Sequence, residues 1–325
     1  MAGKEKLTFP TMNYQNSFMA LGQTKKLRCE RFLDEMSNVI PWGKLLGKVL
    51  PHYESKNLGR KRKDALLMLK IYFLQQWYSL SDPAAEEAIY DRASFQKFLD
   101  IDLLADTVPD ETTILNFRHL LEKHELQKKF FAVVNQMLAE KGLIMKEGTI
   151  VDATIIAAPS STKNKDKKRD PEMGSTKKGN NWSFGMKAHI GVSAENAVVH
   201  SLKGTAANVH DKKKFKELLH GEEKAEFGDK GYIDKELKKE ARKDGVYWGV
   251  LDKAVRGHKL SSAQKKRNKK MSSVRAKVEH PFQVIKCQWK YEKVRYKGLK
   301  KNIAQLYTLF ALCNVYRMRK KLLAT

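Results

Sequence analysis

The sequence predicts an α/β protein: an all-helical N-terminal part, residues 1–145, followed by a mixed sheet with helices over residues 146–325. Three observations predict it. Apolar residues recur at three- and four-residue spacing through most of the first part, the period of an amphipathic helix. At about Lys146 that period gives way to a β-branched apolar run, Gly148 to Ala158, of the kind that fills a buried strand. From there, short apolar stretches alternate with basic helical ones, punctuated by Gly, Asn and Asp.

In chain order, residues 1–23 are polar and aperiodic and read as a loose arm. Leu27, Phe32, Leu33, Met36 and Ile40 give a helix from Lys25 to Ile40, which Pro41 breaks. The basic run Gly59-Arg60-Lys61-Arg62-Lys63 leads into an apolar helix, Asp64 to Tyr78. Ser81-Asp82-Pro83 is a start signal with Asp82 as N-cap and Pro83 at the first position, and that helix runs to about Arg92. Asp110 caps a further helix whose Ile114, Phe117 and Leu121 face inward, leaving Asn116, Arg118 and His119 outward. Such residues meet bases or phosphates, so this helix is either a helix-turn-helix-like reading element or a bundle helix with an ordinary wet face. Leu126 to Lys141, closed by Gly142, completes the first part.

In the second part, Ser160 to Asn181 reads as a polar loop. Trp182 to Ser193 and Ala197 to Leu202 are strands joined through Ala194-Glu195-Asn196. A short basic helix follows from Asp211 to His220, then a strand from Lys224 that turns at Asp229. Asp234 opens a helix to about Lys243, and Val246 to Leu251 is another strand. A basic loop spans Arg256 to Lys270, one helix spans Ser272 to Lys290 with a kink at Pro281 just past Glu279, and a last helix spans Asn302 to Lys320. Three strands, then helix, strand, helix, strand and two helices is the ribonuclease-H-like order.

The composition narrows the function. A net charge of +26 and a pI near 9.8 give a field that attracts polyanions, nucleic acid first among them. With 42% hydrophobic residues, a disordered tail protein is excluded. Cys29, Cys287 and Cys313 are too few and too scattered for a disulfide framework or zinc site, so a reducing cytoplasm is the expected compartment. Ile303 to Tyr316 is too short and too polar to span a bilayer, so no membrane partner is expected.

Three carboxylates draw attention. Asp152 lies inside the first predicted strand among Ile150, Val151, Ile155 and Ile156, where a lone carboxylate is expensive unless paired or metal-bound. Asp229 ends a strand between Gly228 and Gly231, where it is either a site residue or an ordinary turn Asp. Glu279 shares one face of the Ser272–Lys290 helix with Arg275 and Lys286. Between Arg256 and Lys301 it is one of two acids among 16 Lys and Arg, so it is either a salt-bridge partner of Arg275 or a metal ligand beside a polyanion. Three converging carboxylates suit Mg²⁺ or Mn²⁺. Two such ions support in-line phosphoryl displacement, with Arg275 and Lys286 placed to hold the phosphodiester.

These residues resemble a known family, the bacterial insertion-sequence transposases of the DDE class, most like the IS-five group. The resemblance lies in Val151-Asp152-Ala153-Thr154, Lys178-Gly179-Asn180, Phe184-Gly185-Met186-Lys187-Ala188-His189, Asn208-Val209-His210-Asp211, Gly228-Asp229-Lys230-Gly231-Tyr232, and the spacing Arg275, Glu279, Lys286. Asp110-Glu111-Thr112-Thr113 with Phe117-Arg118 resembles the N-terminal module of the same group. The family's wider signature often carries a Tyr three residues before the Arg; here that place is Ser272, so no role for a Tyr carries over.

The resemblance implies a catalytic metal-binding triad of Asp152, Asp229 and Glu279, with Arg275 and Lys286 assisting and two Mg²⁺ or Mn²⁺ ions as cofactors. It implies double-stranded DNA as partner, both element ends and target, and a dimer or higher assembly on it. Candidate DNA contacts are Asn116, Arg118, Lys187, His189, Lys265, Lys266, Arg267, Lys269, Lys270, Arg275 and Lys286. No role attaches to His210-Asp211. The alternatives are a ribonuclease-H-like nuclease or resolvase with the same triad, and a domesticated DNA-binding protein without catalysis.

Overall fold

The computed structural model describes residues 26–53, 62–144, 147–165, 167–254 and 257–324. The expected arm over 1–23, and residues 59–61 of the first basic run, lie outside them. Among the described residues, seven helices form the N-terminal part: α1 (Arg28–Val39), α2 (Trp42–Tyr53), α3 (Ala65–Tyr78), α4 (Asp82–Asp91), α5 (Ala93–Leu99), α6 (Glu111–Lys123) and α7 (Leu126–Glu140).

Pro41 ends α1, as expected, but also starts α2, since the Leu45 N–H donates to its carbonyl at 3.0 Å. A proline without an N–H loses nothing at that position. Asp64 and Asp110 cap α3 and α6, accepting from the N–H groups of Leu67 at 2.8 Å and Thr113 at 2.6 Å. The cap of α4 is Ser81, whose hydroxyl accepts from the Ala84 N–H, one residue before the expected Asp82. Asp82 is left free to accept from Gln75 Nε2 at 2.9 Å and Arg118 Nη2 at 2.8 Å.

The expected outward orientation of Arg118 is therefore overturned. Its side chain is buried, ion-paired to Asp82 and to Glu122 at 3.1 Å, and lies over the Tyr296 ring at 4.7 Å. The desolvation cost of a guanidinium is offset by two carboxylates, one of which, Asp82, no helical wheel of α6 could place. Asn116 and His119 remain exposed.

The sheet contains β1 (Gly148–Ala157), β2 (Gly174–Lys178), β3 (Asn181–Ser193), β4 (Val199–Ala206), β5 (Ala225–Phe227) and β6 (Tyr247–Trp248). Its order is β4-β3-β1-β5-β6, with β2 sharing the outer edge of β3 ahead of β4. β1 pairs antiparallel with β3 and parallel with β5, which pairs parallel with β6. Three antiparallel strands followed by two parallel ones is the ribonuclease-H-like arrangement the sequence order predicts. β2 lies in the stretch expected to be all loop, a polar edge ribbon without the apolar alternation that marks a strand. The helix expected at Asp211–His220 is two single 3₁₀ turns, Asp211–Lys214 and Lys216–Leu218.

After α8 (Lys235–Lys243) and β6, the chain enters α9 (Ser262–Arg275), which occupies most of the expected basic loop. Ser261 and Gln264 close a capping box at its start. The helix expected from Ser272 to Lys290, kinked at Pro281, is α9, a 3₁₀ turn at Ala276–Val278, α10 (Glu279–Gln283) and a π turn at Val284–Gln288. Pro281 accounts for the first break, because its ring excludes a straight helix through the carbonyl four residues earlier, at Lys277.

The last helix, α11 (Leu299–Leu323), is buried along most of its length and packs on α7, α1 and β4. One continuous core runs from α1 through the sheet to α11, and a smaller one gathers Val151, Phe215, Tyr232, Trp248 and Val250 beneath α8. Asn314 joins the layers, donating to Val199 O and Asn135 Oδ1 and accepting the Val199 N–H at 2.9 Å.

Candidate functional site

Side chains alternate across a strand, so Ile150, Asp152, Thr154 and Ile156 of β1 share one face, the face against which the α9–α10 segment lies. Asp152 is 8% exposed. One carboxylate oxygen accepts the Ala153 N–H at 2.8 Å and the other accepts from Arg275 Nη2 at 2.7 Å. Burial pushes its pKa up to about 6; Arg275 and the Ala153 N–H pull it down, while Asp229 and Glu279 push it further up. Burial thus outweighs the guanidinium in contact with it.

Arg275 ends α9, and its Nη2 also stands 3.5 Å from Glu279 Oε1, one helical turn on. Burial disfavours its charge, but Asp152, Asp229 and Glu279 outweigh that and raise its pKa. Its Nε is buried without a hydrogen-bond partner. Glu279 opens α10 with its side chain 62% exposed, at the mouth of the site. Asp229 follows β5 and caps the 3₁₀ turn Lys230–Tyr232, accepting the Gly231 N–H at 2.7 Å. A Cβ on Gly231 would lie 2.9 Å from that same carboxylate oxygen, so a side chain there would press on the Asp229 carboxylate. Two carboxylates, Asp152 and Glu279, thus meet one guanidinium, and the charge of Asp229 favours it from farther off.

Lys286, on the π turn, donates to Thr154 Oγ1 at 2.8 Å and Ile155 O at 2.7 Å, so it is tied to β1 two residues beyond Asp152. Burial lowers its pKa. The wider turn swings the ammonium onto the strand, and π turns recur at functional positions. The chain then continues along the end of β1, where Ala157 N–H donates to Glu292 O and Val294 N–H donates to Ala157 O.

The candidate DNA contacts divide sharply. Lys187 and His189 pair in register with Ile155 and Ala153, which puts them on the opposite face of the sheet from Asp152. There Lys187 pairs with Asp211 at 2.9 Å and donates to Val209 O, and His189 is fully buried with Nε2 at 2.9 Å from Thr205 Oγ1. The expectation that these two face DNA is corrected: the strand period turns them inward, and burial pushes the pKa of His189 down to about 4. Asp211, to which no role attached, is the counter-charge of Lys187. Arg267 is likewise turned in, bonded to Asp252, Val250 O and Trp248 O. Lys265, Lys266, Lys269 and Lys270 are exposed on the other side of α9, and Trp248 is a buried aromatic against Phe215.

The sequence reading passed over Thr154, the acceptor for Lys286, and Tyr232. The Tyr232 hydroxyl is buried without a hydrogen-bond partner, and burial followed by the charges of Asp152, Asp211 and Asp229 raises its pKa. The only sequence signal for it is its place in Gly228-Asp229-Lys230-Gly231-Tyr232.

The oxygen-only donor set fits a hard divalent cation. As placed, Arg275 stands between Asp152 and Glu279, and among the described residues no three His, Cys, Asp or Glu side chains are gathered closely enough to hold a metal ion. No helix among them is long and apolar enough to cross a membrane.

Comparison with known proteins adds a family. The family model described as "Transposase DDE domain" matches residues 144–315, and one described as "Transposase domain" matches residues 23–120. A solved structure described as "Crystal structure of the Mos1 Strand Transfer Complex" is similar at 10% identity over 75% of this chain and 82% of that one, with a TM-score of 0.20. That likeness is too loose to bear on the chemistry.

Proposed function

The chain belongs to the transposases with a DDE domain, and on that premise we propose that it binds the terminal inverted repeats of its own insertion sequence, cleaves the DNA there, and joins the freed 3′ ends to target DNA. The observation that carries this reading is the meeting of Asp152 from β1 and Glu279 from α10 at Arg275, with the charge of Asp229, in the turn after β5, also acting on that guanidinium. Residues 1–145 would serve mainly to bind the repeats and residues 146–325 to carry the chemistry, in the cytoplasm, with at least a dimer on DNA to bring two ends together.

Asp152, Asp229 and Glu279 would hold two Mg²⁺ or Mn²⁺ ions, which when bound activate a water or 3′-hydroxyl and stabilise the leaving oxygen. Asp152 supplies the fixed, buried ligand. Glu279, exposed at the mouth, has the rotamer freedom to turn toward it. Arg275 would hold Asp152 and Glu279 together and meet a phosphodiester through its remaining N–H groups. Lys286 braces the π turn against β1 and adds a point charge beside the site. Asn116 and the exposed face of α9, Lys265, Lys266, Lys269 and Lys270, are the surviving candidates for contacts outside it.

The test is incubation of the protein with the DNA flanking its coding sequence and Mg²⁺, mapping the ends. Asp152→Asn, Asp229→Asn and Glu279→Gln should each lower end cleavage by at least about 10²-fold, the scale for loss of an electrostatic catalytic group. Undiminished cleavage in all three would overturn the assignment. Hydrolysis without any joined product would favour a nuclease.

A further inference from the structure

Beside Asp229, on the surface reached by Lys230 and Gly231, lies an open groove of about 870 Å³. Three separate short segments wall it: the 3₁₀ turn at Asp211–Lys214, the turn at 230–233 and the loop at 253–254. They contribute Lys212, Lys213, Lys230 and Lys253, with Ile233 exposed among them, and among the described residues no carboxylate lines it. Lys212 pairs with Asp234 at 2.6 Å, while Lys213, Lys230 and Lys253 are exposed. A ligand pocket for a small molecule is concave and mostly apolar with a few polar groups. This groove is open and cationic around one apolar side chain, which matches a sugar-phosphate strand.

Its position gives it a direction. Gly231 belongs to the groove wall, and its N–H is the donor that holds the Asp229 carboxylate at 2.7 Å. A strand lying on Gly231 therefore passes directly beside one of the three acids. On the groove's far rim, Lys253 follows Asp252, which is bonded to Arg267 and Asn268 of α9. The groove thus leads away from the carboxylate cluster toward the helix with the exposed lysine face.

We propose that this groove seats the phosphodiester backbone of the DNA strand flanking the cleaved bond, with Lys213, Lys230 and Lys253 as its phosphate contacts. The inference rests on the transposase reading above and adds to it the path of the strand on the Asp229 side. Neutralising a phosphate contact removes about 0.9 from the slope of log K against log salt for duplex DNA and about 0.7 for a single strand. The variant Lys213→Ala/Lys230→Ala/Lys253→Ala should therefore flatten that slope by about 2–3. The control Lys235→Ala/Lys239→Ala/Lys243→Ala removes equal charge from one exposed face of α8 and should change it by less than about 1.

The probe is a labelled duplex from the DNA flanking the coding sequence, bound by the full-length protein across a salt series. The same duplex with single methylphosphonates stepped along each strand locates the contacts. Expected are two or three adjacent positions next to the cleavage site that weaken wild-type binding and no longer matter to the groove variant. Wild-type binding and cleavage with equal slopes for groove and control variants would overturn the groove while leaving the transposase reading intact. Failure of wild-type protein to bind this DNA would overturn that reading and the groove with it.

Discussion

Burial pushes the Glu226 carboxyl up to about 7, and Glu223, Glu240 and Asp244 add repulsion. A carboxyl that binds its proton more tightly when folded than its ordinary value of 4.5 adds stability fully below about pH 4.5, and that stability is lost as pH rises through about 7. Glu226→Gln should therefore raise thermal stability at pH 8 by up to about 3 kcal/mol and change it little at pH 4.5. Calorimetry of both proteins at the two pH values measures this; an equal effect at both would point to packing instead. Single residues also show the limit of sequence reading. Asp152 is conspicuous in the sequence because a carboxylate stands in an apolar strand. Arg118 misleads because its wheel position says nothing of Asp82, 36 residues away, and Tyr232 gives no signal because an unpaired hydroxyl exists only in three dimensions.

At the scale of elements, the segment from α9 to the π turn decides where three charged groups point. A straight helix would place Arg275, Glu279 and Lys286 on one stripe; the breaks on either side of α10 instead send Arg275 to Asp152, leave Glu279 at the mouth, and bring Lys286 onto Thr154 and Ile155. Pro281 announces a kink in the sequence, but the π turn has no sequence mark, because the two acceptors that its ammonium meets lie on β1, far away in the chain. Lys286→Met keeps the stem and removes both bonds. It should cost about 1–3 kcal/mol and speed amide exchange in residues 284–294, read by hydrogen exchange. Unchanged protection there would show that the π turn does not depend on the lysine. β2 and the short 3₁₀ turns were illegible for a related reason, since neither a polar edge strand nor a single turn carries a hydrophobic period.

At the scale of the molecule, the helical part and the sheet share one core, because α11 is buried between α7, α1 and β4. A fragment of residues 1–145 lacks that helix. It should show helical far-ultraviolet dichroism without a cooperative thermal transition, the behaviour of a chain whose packing partner is missing. A sharp transition in the fragment would show that the N-terminal helices suffice as a core. The sequence by itself determined the helical first part, the sheet after it with five of its six strands, and the positive field, and it singled out three carboxylates, because periodicity, β-branching, charge and residue type are properties of the chain. Which cations face solvent, which carboxylates meet around Arg275, and what closes the core were decided only by tertiary structure. Burial and ion pairing depend on residues brought together from distant positions, and no local pattern encodes that distance.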